Sequence, residues 1–262
     1  IQALGYSKWL KPGEMADHEA SVRAEGFPDF KVSPPGERNA YTSITYIEPM
    51  DIRNSQAFGY DMWSQETRRT AMKRARDTGQ VTVSGPVTLV QEIDENVQAG
   101  LLIYLPYYGN ITGKPDTIPA TMEDRRRHLH GFVYGAFRMG DLMQGILGSD
   151  LRDIEIAVYD TTSADKNNLL FASEQTATDQ GNTHRLSDIN SFTMYGRNWE
   201  IVSHSKPSLF ARDGNLGLSV ITLVSGLVAT AFLVALVALM LNTRRKAQQI
   251  ATRMTRKLDK KT

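Results

Sequence analysis

Along residues 1–215 the apolar positions come in short runs broken by Gly, Pro, Asn and Asp. Ile1–Tyr6, Tyr41–Ile47, Val81–Ser84, Val87–Glu92, Gly100–Tyr107 and His130–Phe137 are rich in β-branched and aromatic residues, the pattern of half-buried strands. Phe30–Ser33 reads as a further strand, with Pro34-Pro35-Gly36 as the turn that follows it. Helical spacing marks Glu14–Glu25 and the segment opened by Ser64-Gln65-Glu66-Thr67. Ser64 is the expected cap of that second helix and Gly79 its stop. Pro119–Arg127 and the amphipathic Met139–Leu147 are shorter helices. A second block of strands follows: Ile154–Asp160, Leu169–Ala172, His184–Leu186, Ser191–Tyr195 and Arg197–His204. Two small lobes of mixed helix and strand are therefore expected, without an internal repeat.

The pattern then changes completely. Leu216–Leu241 holds 26 residues without a charge, Pro, Asn or Gln. As a helix it measures about 39 Å, against a hydrocarbon core of about 30 Å. Arg244-Arg245-Lys246 closes it, and Arg253, Arg256, Lys257, Lys260 and Lys261 lie behind. Beyond the span, Ala247, Ile250, Ala251, Met254 and Leu258 recur at three- and four-residue spacing, a heptad-like stripe on a basic helix. The stripe is expected to begin a dimeric signalling coil, with a basic anchor on anionic lipid as its alternative.

Charge sharpens the division. From Asn242 onward eight Lys/Arg stand against one Asp, whereas residues 1–241 carry 22 Lys/Arg and 28 Asp/Glu. An acidic body excludes nucleic acid as its natural partner. The basic tail is expected on the cytoplasmic side and residues 1–215 outside it. No signal segment is visible at Ile1, so an export signal or a first membrane helix is expected upstream.

The absence of cysteine removes disulfides, thiolate metal sites and thiol nucleophiles together. No nucleophile-elbow serine, phosphate-binding glycine loop or zinc-protease motif is present. His128 and His130 would share one face of a strand, but a surface pair is the better reading than a metal site. No catalytic residue, metal or cofactor is expected in this stretch of chain. Tyr41, Tyr46, Phe58, Tyr60, Trp63, Tyr104 and Tyr107 surround strands that should enclose one cavity, as a small-ligand pocket requires. Asp61 stands between aromatics, where an unpartnered carboxylate is costly to bury. It either contacts a ligand or caps a helix and pairs with an arginine, Arg68 or Arg69.

One series of blocks is more specific. Phe27-Pro28-Asp29-Phe30, Gly36–Tyr41, Tyr46-Ile47-Glu48-Pro49 and Asn54 lead into Ala57–Met62. Arg68–Met72, Ala75–Gly79 and Leu89–Glu92 continue the series. In this order they resemble the CHASE domain, the extracytoplasmic sensor of bacterial histidine kinases and diguanylate cyclases and of plant cytokinin receptors. The resemblance covers most of residues 1–137 and continues more loosely through Trp199 to the membrane helix. It implies two PAS-like lobes in tandem, a ligand in the membrane-distal lobe and signalling as a dimer. It also places Asp61 where the plant receptors hold the ligand's polar edge, and Val81–Ser84 as the next pocket strand.

The expected fold is thus α/β (α+β): a distal lobe over 1–137, a proximal lobe and linker over 138–215, a transmembrane helix over 216–241 and a cytoplasmic helix over 242–262. The expected ligand-binding residues are Asp61, Tyr46, Tyr60, Val83 and Tyr104. The expected function is a small-ligand sensor in the cell (inner) membrane, a homodimer that signals to a cytoplasmic histidine kinase or diguanylate cyclase. The alternative is a membrane-anchored solute-binding protein without signalling.

Overall fold

The computed structural model describes residues 1–92, 97–109, 117–148, 154–162, 169–173, 186–206 and 215–258. Two compact units divide the chain, Ile1–Lys206 and Pro207–Thr262. The first contains both lobes. Its distal lobe begins with β1 (Ala3–Leu10), followed by α1 (Met15–Ala24) and β2 (Tyr41–Glu48). Then come α2 (Glu66–Thr78), β3 (Thr82–Val83), β4 (Gly100–Tyr107), α3 (Met122–Arg127) and β5 (Gly131–Arg138). All pairings are antiparallel, in the order β2-β1-β5-β4-β3, the arrangement expected of a PAS-like lobe.

Sequence period explains which face of that sheet is covered. Tyr104 and Tyr134 lie directly opposite each other on β4 and β5, so both side chains leave the same face. They join Phe132, Ile44, Leu102 and, from α2, Ala71, Met72 and Ala75 in the main core. The apolar residues of α2 recur at helical spacing and bury one face against the sheet.

The proximal lobe is a four-stranded antiparallel sheet, β7-β6-β9-β8. It follows α4 (Met139–Leu147) and comprises β6 (Ile154–Asp160), β7 (Leu169–Ala172), β8 (Ser187–Met194) and β9 (Arg197–Ser205). Its apolar residues Val158, Leu170 and Trp199 meet Met139 of α4 and Val83 and Leu101 of the distal sheet in one cluster. With every pairing between the described strands antiparallel, the chain is α+β.

Among the described residues, the second unit carries one helix, α5 (Asn215–Leu258), of 44 residues. Val220–Lys246 within it is long and apolar enough to cross a membrane, with a mean hydropathy of 2.6. The expected span and the basic helix behind it are therefore one uninterrupted rod.

Some expected elements change. Phe30–Ser33 forms no strand; Ser33 makes an isolated bridge to Tyr60 before two prolines end the pairing. Val87–Glu92 also stays outside the sheet apart from a bridge between Val87 and Gly100. Ser64 does not cap α2. Its hydroxyl donates to the Asp61 carbonyl at 2.6 Å, and Gln65 accepts from the Arg68 amide instead. Gly79 ends that helix as expected, in the left-handed conformation at φ +73°. The expected loop at Tyr108–Asp116, the strand at His184–Leu186 and the linker at Ser205–Asn215 fall largely outside the described residues, as do the side chains of the tail stripe.

Candidate ligand site in the distal lobe

The chain enters α2 through a short 3-10 turn, Met62–Ser64, and Asp61 is the residue that starts it. Its Oδ1 accepts from the backbone amides of Thr42 at 2.8 Å and Trp63 at 3.0 Å. The Thr42 hydroxyl adds a longer contact at 3.4 Å. Oδ2 lies 3.4 Å from the Arg38 guanidinium without hydrogen-bond geometry. Asp61 is fully buried. Burial raises its pKa, against the opposing pull of the two amides and the Arg38 charge. The carboxylate thus ties β2 to the entry of α2. In this structure Asp61 caps the 3-10 turn, and the arginine beside it is Arg38 rather than Arg68 or Arg69.

Arg68 is occupied differently. It sits in the first turn of α2 and is 4% exposed. Its Nη1 donates to the Tyr60 hydroxyl at 3.1 Å and its Nη2 to the Thr88 carbonyl at 2.9 Å. The guanidinium also lies 5.2 Å from the centre of the Tyr60 ring. No carboxylate pairs with it among the described residues. The nearby acids are committed elsewhere, Asp61 beside Arg38 and Glu92 at 3.0 Å from Arg138.

Beside Arg68 is a cavity of about 10 Å³, space for one water molecule at most. Its walls include Tyr60, Tyr134, Leu89, Gln91, Met62 and Leu102. Two polar side chains there make no hydrogen bond among the described residues, and one of them is a buried, unsatisfied hydroxyl. The Tyr134 hydroxyl is buried without a hydrogen-bond partner, and the buried Gln91 makes no side-chain hydrogen bond among the described residues. Burial raises the Tyr134 pKa well above the usual tyrosine range, partly offset by the Arg68 charge, so the phenol remains a hydrogen-bond donor.

The expected site residues separate in this structure. Tyr60 lines the cavity. Tyr104 lies in the same core, where its hydroxyl meets the Met62 sulfur at 3.6 Å. Tyr46 is 59% exposed and pairs with Tyr6 across β1 and β2, away from the cavity. Val83 pairs with Ile103 and belongs to the cluster between the lobes. The β3 residue that shares Tyr104's face is Thr82. Arg68, Tyr134 and Gln91 are the site residues that sequence reasoning missed. Only Arg68 left a trace, as a cation within the buried face of α2.

The far end of α2 and strand β3 meet the proximal lobe at one turn. Between β8 and β9, Tyr195 and Gly196 both have positive φ, +48° and +84°. The Tyr195 carbonyl accepts from the Val83 amide at 3.2 Å. The Gly196 carbonyl accepts from Arg74 of α2 at 2.7 Å. Arg197 then pairs with the buried Asp160 of β6. Cavity, helix and proximal sheet are thus joined through α2.

Comparison with known proteins finds a family, a relative and a solved structure to which this chain is similar. Residues 1–171 match the CHASE domain family. The hybrid signal transduction histidine kinase A of Dictyostelium discoideum is 26% identical over 191 residues, covering 66% of this chain and 9% of that protein. The chain therefore spans under a tenth of that relative's length. The crystal structure of the periplasmic sensory domain of a Campylobacter jejuni chemoreceptor aligns with a TM-score of 0.42 at 11% identity, over 80% of this chain and 74% of that one.

Proposed function

The chain belongs to the CHASE domain family, and from that premise we propose that it is the small-ligand sensor of a membrane receptor. The observation that carries the proposal is the cavity at Arg68, where an unpaired phenol and a cation without a carboxylate among the described residues face one small space in the distal core. Such groups are costly to bury unless something else satisfies them. A ligand that occupies the space displaces the Thr88 loop, α2 or both. Arg74 and β3 carry that movement to the β8–β9 turn, and β9 is the last described strand before the helix. Residues 1–215 lie outside the cytoplasm and 242–262 inside it, by the excess of Lys/Arg in the tail. The receptor works as a homodimer in the inner membrane. Its cytoplasmic output is a histidine kinase or a diguanylate cyclase, and the Dictyostelium relative favours the kinase.

The test is an exported fusion of this chain to a histidine kinase core, assayed in membranes for autophosphorylation against a library of small metabolites. A ligand-dependent change in phosphorylation supports the sensor. Ligand binding that raises the melting temperature while leaving phosphorylation unchanged supports the anchored solute-binding protein instead.

A further inference from the structure

We infer that the space beside Arg68 takes the carboxylate of a small, otherwise apolar organic acid; this rests on the sensor reading and narrows its ligand. Three observations converge on it. A buried guanidinium has five N–H donors, and the two that are engaged meet neutral oxygens, the Tyr60 hydroxyl and the Thr88 carbonyl. A buried cation held by neutral acceptors alone lacks the charge compensation that such groups ordinarily have. The Tyr134 hydroxyl, protonated and without a partner, lines the same space as a second donor. The Gln91 amide borders it with no hydrogen bond among the described residues.

These groups match an acceptor-only ligand. A carboxylate offers two oxygens, one for the guanidinium and one for the phenol, and a charge-assisted bond is roughly twice as strong as a neutral one. It would displace the Thr88 carbonyl from Arg68 and so release the loop Thr88–Gln91 from α2. The rest of the lining, Ile44, Ala57, Met62, Leu89 and Leu102, is apolar and offers a phosphate dianion no further cation. An ammonium ligand would face the Arg68 charge directly. The acid's body is therefore small and apolar, and its entry widens a space that now holds one water at most.

The experiment uses the full chain in detergent micelles, titrated calorimetrically with the straight-chain acids from acetate to hexanoate and their matching primary amides, and with inorganic phosphate. One or more acids bind, and each corresponding amide binds roughly tenfold or more weakly. Arg68→Met abolishes binding. Tyr134→Phe, which removes a hydroxyl that holds nothing in the fold, weakens it several-fold and keeps the inference testable should Arg68→Met not fold. Equal affinity for acid and amide, a preference for phosphate, or no binding by any acid overturns the inference. So does acid binding that both substitutions leave unchanged. None of these results touches the sensor reading, which fails only if the kinase fusion answers no ligand at all.

Discussion

Asp61 serves as a joint between β2 and the entry of α2. Its Oδ1 receives two buried backbone amides, and Trp63 N–H is additionally 2.9 Å from the Thr42 hydroxyl. Asp61→Ala leaves the Thr42 amide without its acceptor and should cost about 1–3 kcal/mol. Asp61→Asn keeps the Oδ1 acceptor and removes a costly buried charge, so its stability should stay within about 1 kcal/mol of the parent chain. Urea denaturation of the two variants distinguishes these outcomes, and equal losses would refute the assignment. His18 carries a separate pH signature. It is buried against Phe30. Burial, then the Lys8 charge, lowers its pKa from 6.5 to about 4, with Glu19 opposing them. The unfolded chain then binds more protons than the native one between those values. Stability from neutral His18 is present above pH 6.5 and lost as pH falls through about 4. Replacing His18 with Leu should flatten that part of the melting-temperature profile. A profile as steep as the parent's would show that other groups cause the acid loss. Asp77, held down to about 2 by Arg126 and Arg76, loses its contribution only as pH falls below its ordinary 3.8, mostly below that window.

At the scale of elements, the tightest mechanical link is the β8–β9 turn. Glycine is required at 196 because φ is +84°, and an added Cβ would stand 2.5 Å from the Arg74 side chain. Gly196→Ala should therefore cost about 1–2 kcal/mol and speed amide exchange at Val83, whose N–H bonds to the turn. Arg74→Met removes the same contact without backbone strain, so it should raise exchange there with a smaller loss of stability. Protection unchanged in both variants would mean that the turn is not the link. Much of this was readable from sequence. Runs of β-branched and aromatic residues located β4 and β6 to the residue, and in β4 the buried Leu102, Tyr104 and Pro106 alternate with the less buried Ile103, Leu105 and Tyr107. Helical spacing and Gly79 located α2. The Phe30–Ser33 and Val87–Glu92 segments have strand composition but lack a partner along their length, and pairing partners are a tertiary property. The candidate site was harder still. Tyr60 was found by composition, but Tyr46 and Val83 lie elsewhere because a face is assigned only once a strand's register is known. The β1–β2 pairing shifts register beside Tyr6, which local alternation cannot show. Tyr134 and Gln91 meet Arg68 only through folding.

The whole molecule combines an acidic body, an apolar helix and a basic tail. Reporter fusions at Gly214 and Lys246 should report opposite sides of the membrane; a reporter restricted to the cytoplasm that works at Gly214 would reverse the topology. Ser225, Gly226 and Ala229 give the apolar helix a face where a second copy can approach closely. Cysteine crosslinking scanned from Ala247 to Leu258 should rise and fall with a period of about 3.5 residues, and a flat profile would argue against a paired coil.

The unbroken α5 also sets a rotational phase. Each residue inserted into a continuous helix turns whatever lies beyond it by about 100°. Seven inserted residues restore the original bearing to within about 20°, whereas two reverse it almost completely. In the kinase fusion, insertions near Arg245 should therefore act through angle more than length. A seven-residue insertion keeps ligand control, while two residues lock or invert it. The 44-residue rod makes the bearing of its far end a property that every insertion or deletion along it must conserve.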